Sequence, residues 1–336
     1  MSVVARIARA LEDGAVPRWA IARAAADGWG RIASRGVARP LRLPEGVRVV
    51  AIGGATLGGS GKTPLALAVG RRAADESGAD VAIVGHAYRA SPRQARWVTP
   101  DDPVALVGDE ALACARDVAR EPTAGRLRVA IAPRRQAAID FAVAEGATVL
   151  VLDGVAQTAP RRASQALLAI DAADPWGAGE VPPLGDLRAP REALLDACDE
   201  VVALRDSLAS RDAMTCAGVG AVRFVDVSSR GVWLEGVLVP WSELTSLRIG
   251  LATSIARPTR VTALLERRGI SPSVVVFGAD HGELPLTALA TKRVDLWLTT
   301  AKCAAHVSSA DGRLDEWARR ALRGAPMAHI DHLATP

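Results

Sequence analysis

The stretch Val49–Gly70, VVAIGGATLGGSGKTPLALAVG, reads as a buried strand, a glycine-rich turn carrying one lysine, and then a helix. In the turn TLGGSGKT, Gly58, Gly59 and Gly61 allow successive backbone N–H groups to point inward at phosphate oxygens, and the helix that follows presents its positive end to them. Lys62 is placed to reach the β- and γ-phosphates, and the Thr63 hydroxyl to hold magnesium. The usual P-loop has glycine where Thr56 stands, yet the strand before and the helix after supply the context the motif requires. Residues 56 and 58–63 (Thr56, Gly58, Gly59, Ser60, Gly61, Lys62, Thr63) are therefore the expected nucleotide site. Such a loop needs an acid at the end of a neighbouring strand to hold the metal, and TVLVLDG offers Asp153 there. Taken alone, a strand-end aspartate is as often an ordinary turn residue.

Outward from this motif, strand-like runs (VRVVAIG, VAIVG, RVAIA, TVLVLD, ALLAID, EVVAL) alternate with Ala-rich helical stretches. Apolar runs this continuous indicate a parallel sheet covered on both faces, giving an α/β, P-loop NTPase-like core over 46–215. At VRFVDVSSRGVWLEGVLVPW the pattern changes to short extended pieces meeting at turns, expected as an antiparallel β ribbon over 216–247. RIGLATSIA, SVVVFGAD and DLWLTT then resume the alternation, so a second, smaller α/β lobe is expected over 248–336. Ahead of the core, residues 1–45 read as basic amphipathic helices: Val3, Ile7 and Leu11, then Trp19, Ala22, Ala26 and Trp29, follow helical spacing among arginines. Such helices either dock on the domain behind them or lie at a membrane interface with Trp at the acyl boundary and Arg on anionic headgroups.

Composition narrows the field. The chain has 336 residues, 49% of them hydrophobic, enough to build real cores. No run approaches the length of a membrane-spanning helix and the Arg-studded N-terminus lacks the apolar core of a cleaved signal, so the body of the chain is expected in the cytoplasm. Cys114, Cys198, Cys216 and Cys303 are scattered without a CxxC pair, which indicates neither zinc nor a disulfide framework. Of 41 cationic residues only Lys62, Lys292 and Lys302 are lysines, which marks each as a place where arginine's flat fork cannot replace a compact ammonium. A net charge of +4 with no aromatic-interleaved basic patch gives no reason to expect nucleic acid.

Two further groups carry chemistry. LVGDEAL places Asp109 and Glu110 after a short apolar run, and VVFGADHGELP places Asp280 and His281 at a strand end in the second lobe. A carboxylate facing a nucleotide can take the proton of an attacking hydroxyl while an imidazole tunes or relays it. Each group alone is weak, since Asp-Glu often caps a helix and a lone Asp-His often sits in a loop.

The order of these pieces resembles the tetraacyldisaccharide 4'-kinase family, which phosphorylates the lipid A precursor. TLGGSGKTP, VGDEA, LDGVAQ, VPPLGDLRAP, SIARPTRVTALLERRGI, GADHGEL and LTTAKCA are similar, in that order, to its TVGGTGKTP-, GDEP-, DDGFQ-, LPAGPLREP-, GIARP-, DHxxY- and TTEKD-like elements. The resemblance spans nearly the whole chain and implies ATP at Gly58 to Thr63, Mg²⁺ at Thr63 and Asp153, and catalytic roles for Lys62, Asp109 and His281, with Asp280 orienting the histidine. It also implies that Arg188 and Arg257 line the cleft and that Lys302 matches the TTEKD-like lysine. The implied acceptor is tetraacyldisaccharide 1-phosphate, met at the cytoplasmic face of the bacterial inner membrane by peripheral contact, with no obligate protein partner.

There are departures: Gly154 and Ala156 stand for the family's second strand-end aspartate and its aromatic, His86 replaces an arginine in an SRGYG-like segment (Gly85–Arg89), and Ala301 and Cys303 replace acids. A catalytically silent nucleotide- or lipid-binding relative is thus the alternative to a lipid kinase. A P-loop switch ATPase would leave Asp280, His281 and the N-terminal helices unexplained.

Overall fold

The computed structural model describes residues 3–208, 222–278, 280 and 282–335. Its organising strand is Arg48–Gly54, in which every residue after Arg48 is buried. Alternate side chains serve two cores: Val50 and Ile52 pack with Leu65 and Leu67 of the P-loop helix, while Val49 and Ala51 pack with Ala138 and Ile139 on the other face. This two-sided burial is why the sequence reads as a continuous apolar run rather than an alternating one.

That strand lies near the middle of a nine-stranded sheet. From one edge the strands run Leu333–Thr335, Val222–Ser228, Glu200–Asp206, Gln165–Asp171, Arg48–Gly54, Val149–Asp153, Asp80–Val84, Arg126–Ile131 and Arg96–Trp97. All neighbouring pairs are parallel except the two at the edges. The strand order places the carboxyl ends of Arg48–Gly54 and Val149–Asp153 side by side, so the P-loop and Asp153 emerge together at one rim of the sheet.

A six-stranded sheet forms the second lobe: Val237–Pro240, Gly231–Leu234, Met327–Ile330, Leu296–Thr299, Ile249–Thr253 and Val274–Phe277. Its last four strands are parallel and the hairpin at its edge is antiparallel. Of the stretch 216–247 expected to be one ribbon between the lobes, residues 216–221 lie outside the described residues and the rest is divided. Val222–Ser228 joins the core sheet as a parallel strand, and only Gly231–Leu234 with Val237–Pro240 forms a hairpin, which belongs to the second sheet. Likewise residues 333–335, expected in the second lobe, return to the edge of the core sheet. The chain therefore crosses between the sheets near Arg230 and again near Asp331, and these two residues bond each other, Arg230 Nε donating to Asp331 Oδ2 at 3.0 Å.

Ahead of the core, Val3–Glu12 and Ala20–Arg35 are helical. The second packs through its small residues: Ala26 lies buried with Val181, Leu184 and Leu187, and a Cβ at Gly30 would stand 3.3 Å from Pro190. The bulky residues face outward, with Trp19 71%, Ile21 83% and Ile32 68% exposed. Among the described residues no helix is long and apolar enough to cross a membrane.

Candidate functional site

The loop after the central strand is held by its own hydroxyls. Thr56 Oγ1 donates to the Gly58 carbonyl at 2.7 Å and lies 2.8 Å from Ser60 Oγ, which in turn accepts from Thr56 N–H. Thr56, only 2% exposed, thus does internally what a tight glycine turn does elsewhere. Gly59 and Gly61 take φ of +71° and +79°, a region that disfavours side chains, and Gly61 caps the helix Lys62–Ser77 whose first turn faces the loop.

Behind the loop, Thr63 Oγ1 donates to Asp153 Oδ2 at 2.7 Å, while Asp153 Oδ1 is buried and has no hydrogen-bond partner among the described residues. Burial, then the charge of Glu110, raises the Asp153 carboxyl above its ordinary pKa. An orphaned carboxylate oxygen beside a threonine hydroxyl fits a hard dication, which would hold the group ionised and complete its shell with phosphate oxygens and water. Among the described residues no group of three or more His, Cys, Asp or Glu could hold a metal ion as an all-protein cage. Arg135 bonds the Asp153 and Val84 carbonyls and so fixes the strand end. Burial, then Arg188, lowers the pKa of Lys62.

Gly154 follows at φ +81°, the left-handed region, where an aspartate would be strained. The backbone therefore favours the register in which Gly154 answers to the glycine of the DDGFQ-like element and Asp153 to its second aspartate. On that correction the missing acid belongs at Leu152, which is fully buried in the sheet.

Across the cleft, Asp109 opens the helix Asp109–Arg120 and is 5% exposed. Its Oδ1 accepts from Glu110 N–H at 2.8 Å, and its Oδ2 lies 3.5 Å from His306 Nε2 and 4.0 Å from Lys302 Nζ. Lys302 also meets Asp280 at 3.2 Å and Glu110 at 3.5 Å. Burial alone would lower its pKa, but Glu110, Asp280 and Asp109 together outweigh that and raise it. Asp109 and Asp280, far apart in sequence, are thus brought together around one lysine. His281 lies outside the described residues, as does Cys216; Cys114, Cys198 and Cys303 are free thiols.

Two cavities meet at Leu57, Lys62, Glu110, Cys114 and Asp280. One, of about 390 Å³, lies between the lobes and is lined by Leu57–Thr63 of the P-loop, Arg257, Arg260 and Lys302. The other, of about 640 Å³, opens on the core side against Arg39, His86, Tyr88, Arg135, Asp153 and Arg188. Arg188 also donates to the Leu57 carbonyl at 3.2 Å, while Arg257 is gripped by Asp174 and Asp186. Sequence reading missed Arg39, Arg135, Arg260 and His306. None falls in a motif with a mechanism of its own, and only folding brings the three arginines to the cleft and His306 against Asp109.

A loop that cups phosphate, a hydroxyl and carboxylate beside it, and a second lobe that closes the cavity define a P-loop phosphotransferase. The comparisons with known proteins then give the family. A model of the tetraacyldisaccharide-1-P 4'-kinase family matches residues 20–322, and the chain belongs to that family. The tetraacyldisaccharide 4'-kinase of Rhizobium leguminosarum bv. trifolii is 29% identical over 320 residues, covering 91% of this chain and 83% of that one. The Brucella ovis protein of the same name is 32% identical over 207 residues, 61% of this chain and 54% of that one. The solved structure of LpxK from Aquifex aeolicus in complex with ATP shares the fold, with a TM-score of 0.64 and 15% identity over 93% of each chain. The protein is accordingly a kinase.

Proposed function

We propose that this kinase transfers the γ-phosphate of ATP to the 4'-hydroxyl of tetraacyldisaccharide 1-phosphate, with the nucleotide between the lobes and the sugar in the larger cavity. The observation that carries the reading is the meeting of the two cavities at Lys62, with phosphate-cupping backbone on one side and Arg39 and Arg188 on the other. Loop N–H groups from Gly58 to Gly61 bind the phosphates, and Lys62 neutralises charge as it builds on the transferred group. Thr63 and Asp153 would hold Mg²⁺, which would supply charge neutralisation to the phosphates. The sugar hydroxyl attacks phosphorus in line, its proton passes to Asp109, and the bond to the ADP oxygen breaks. His281 and Asp280 act on that proton as the family resemblance implies.

Glu110 lines both cavities whereas Asp109 is not among their lining residues, so the proton of the sugar hydroxyl reaches Asp109 by way of Glu110 at the cavity wall. Arg39 and Arg188 receive the acceptor's own phosphate. The helix Ala20–Arg35 ends shortly before Arg39–Leu41, which line the larger cavity. Its exposed Trp19, Ile21, Trp29 and Ile32 rest on the cytoplasmic leaflet and bring the cavity mouth to lipid-borne substrate.

Arg39→Ala tests the assignment of the cavities, because Arg39 is exposed and makes no part of the P-loop. It is expected to raise KM for the lipid about tenfold, the effect of one charge-assisted hydrogen bond, with KM for ATP unchanged. A rise in KM for ATP instead would reverse the two cavities.

A further inference from the structure

We propose that Arg260 is a catalytic arginine, carried by the second lobe onto the phosphoryl group in transfer. The inference rests on the reading above and goes beyond it, since no motif in the chain assigns this residue. Arg260 lies in the first turn of the helix Thr259–Glu266 and lines the interlobe cavity together with Gly58–Thr63. Its Nη1 donates to the carbonyl of Gly59 and pairs with Asp171 Oδ2 at 2.8 Å. Its Nη2 is buried and makes no hydrogen bond among the described residues, the nearest carboxylate oxygen being Asp174 Oδ2 at 3.9 Å. One edge of the guanidinium is thus anchored to the phosphate loop while another donor is left over.

The loop is shaped to receive this group. Gly59 sits at φ +71°, and a Cβ there would stand 3.2 Å from Arg260 Nη1; a Cβ at Gly58 would stand 2.3 Å from Ala256 Cβ. The second lobe therefore rests directly on the two glycines just ahead of Ser60-Gly61-Lys62. Arg257, its neighbour, has both terminal nitrogens taken by Asp174 and Asp186 and keeps only its buried Nε without a partner, so it is held by carboxylates where Arg260 is held by the phosphate loop.

In phosphoryl transfer, negative charge spreads over the equatorial oxygens at the transition state, and a rigid guanidinium beside the γ-position stabilises it there more than in the ground state. An ammonium on a flexible stem cannot hold the Gly59 carbonyl and Asp171 while also donating to phosphate.

The test compares wild type, Arg260→Lys and Arg260→Ala for kcat and KM with ATP and tetraacyldisaccharide 1-phosphate, and for ADP affinity by calorimetry. Wild-type turnover is measured first; its absence would sink the kinase reading and this inference with it. Both variants are expected to lose kcat by about 100-fold or more while ADP affinity stays within about threefold, the pattern of a contact made at the transition state. Two results would overturn the proposal: kcat within about threefold of wild type in Arg260→Lys, or kcat and ADP affinity falling by the same factor, as for a residue that merely props the loop. Should Arg260→Ala fail to fold, Arg260→Lys alone decides.

Discussion

At the scale of single residues, the site is a contest between burial and charge. Lys62 and Asp153 are both pushed toward neutrality by burial, and the charge of each opposes that shift in the other. Lys62→Ala should therefore abolish transfer, by about 100-fold or more in kcat, with little change in the unfolding midpoint, because the ammonium acts on phosphate rather than on packing. A folded variant that still turns over would remove the P-loop from the mechanism. Gly154 makes a different case. Its backbone conformation disfavours any side chain, so Gly154→Asp is expected to destabilise the fold by about 1–2 kcal/mol in urea titration rather than to improve the Mg²⁺ requirement. An unchanged unfolding midpoint would show that the turn tolerates a side chain. From sequence alone this position looks like a lost metal ligand, because a motif records letters and not dihedral angles. That Thr63 and Asp153 would meet beside Lys62 was legible in the strand–turn–helix pattern, whereas Arg260 is one arginine among several in SIARPTRVTALLERRGI and nothing local marks His306.

At the scale of elements, the helix Ala20–Arg35 packs by its small side chains and leaves its large ones in solvent. Helical spacing could reveal an amphipathic segment, but not that alanine and glycine would form the docking face. Replacing Trp19, Ile21 and Ile32 together by Ser should weaken partition onto anionic vesicles while leaving thermal unfolding nearly unchanged, since exposed positions seldom move stability by more than about 0.5 kcal/mol each. Equal flotation with liposomes would mean the exposed face has no part in membrane contact. In the second sheet, His329 on the strand Met327–Ile330 is buried, and burial, then the charge of Arg120, lowers its pKa to about 3. The unfolded chain binds a proton at this residue near pH 6.5 and the folded chain does not, so its contribution to stability is complete above that pH and is lost as pH falls toward 3. Urea titrations at pH 7.5 and 5.0 should show a loss about 1–2 kcal/mol smaller in His329→Gln than in wild type. Identical losses would place the acid sensitivity elsewhere.

At the scale of the whole molecule, two sheets are laced by a chain that crosses twice, near Arg230 and near Asp331, and the residues of the cleft come from both sides of that seam. The α/β alternation and the parallel core could be read in the apolar runs because each strand is buried on both faces. The lacing could not, since the sequence of Val222–Ser228 looks the same whether it pairs within a ribbon or joins the core sheet, and only long-range pairing decides. The same is true of the cleft: Asp109, Asp280 and Lys302 are motif residues from three separate segments, and what makes them one site is the closure of one lobe on the other. The central claim is that this closure assembles a lipid kinase. Its most direct test is mass spectrometry of the lipid recovered after incubating the purified protein with ATP, Mg²⁺ and tetraacyldisaccharide 1-phosphate in detergent, beside Lys62→Ala. A lipid heavier by one phosphate, formed by wild type and absent from the variant, is the expected result; recovery of unmodified acceptor from both, with the wild type folded and ATP bound, would contradict it.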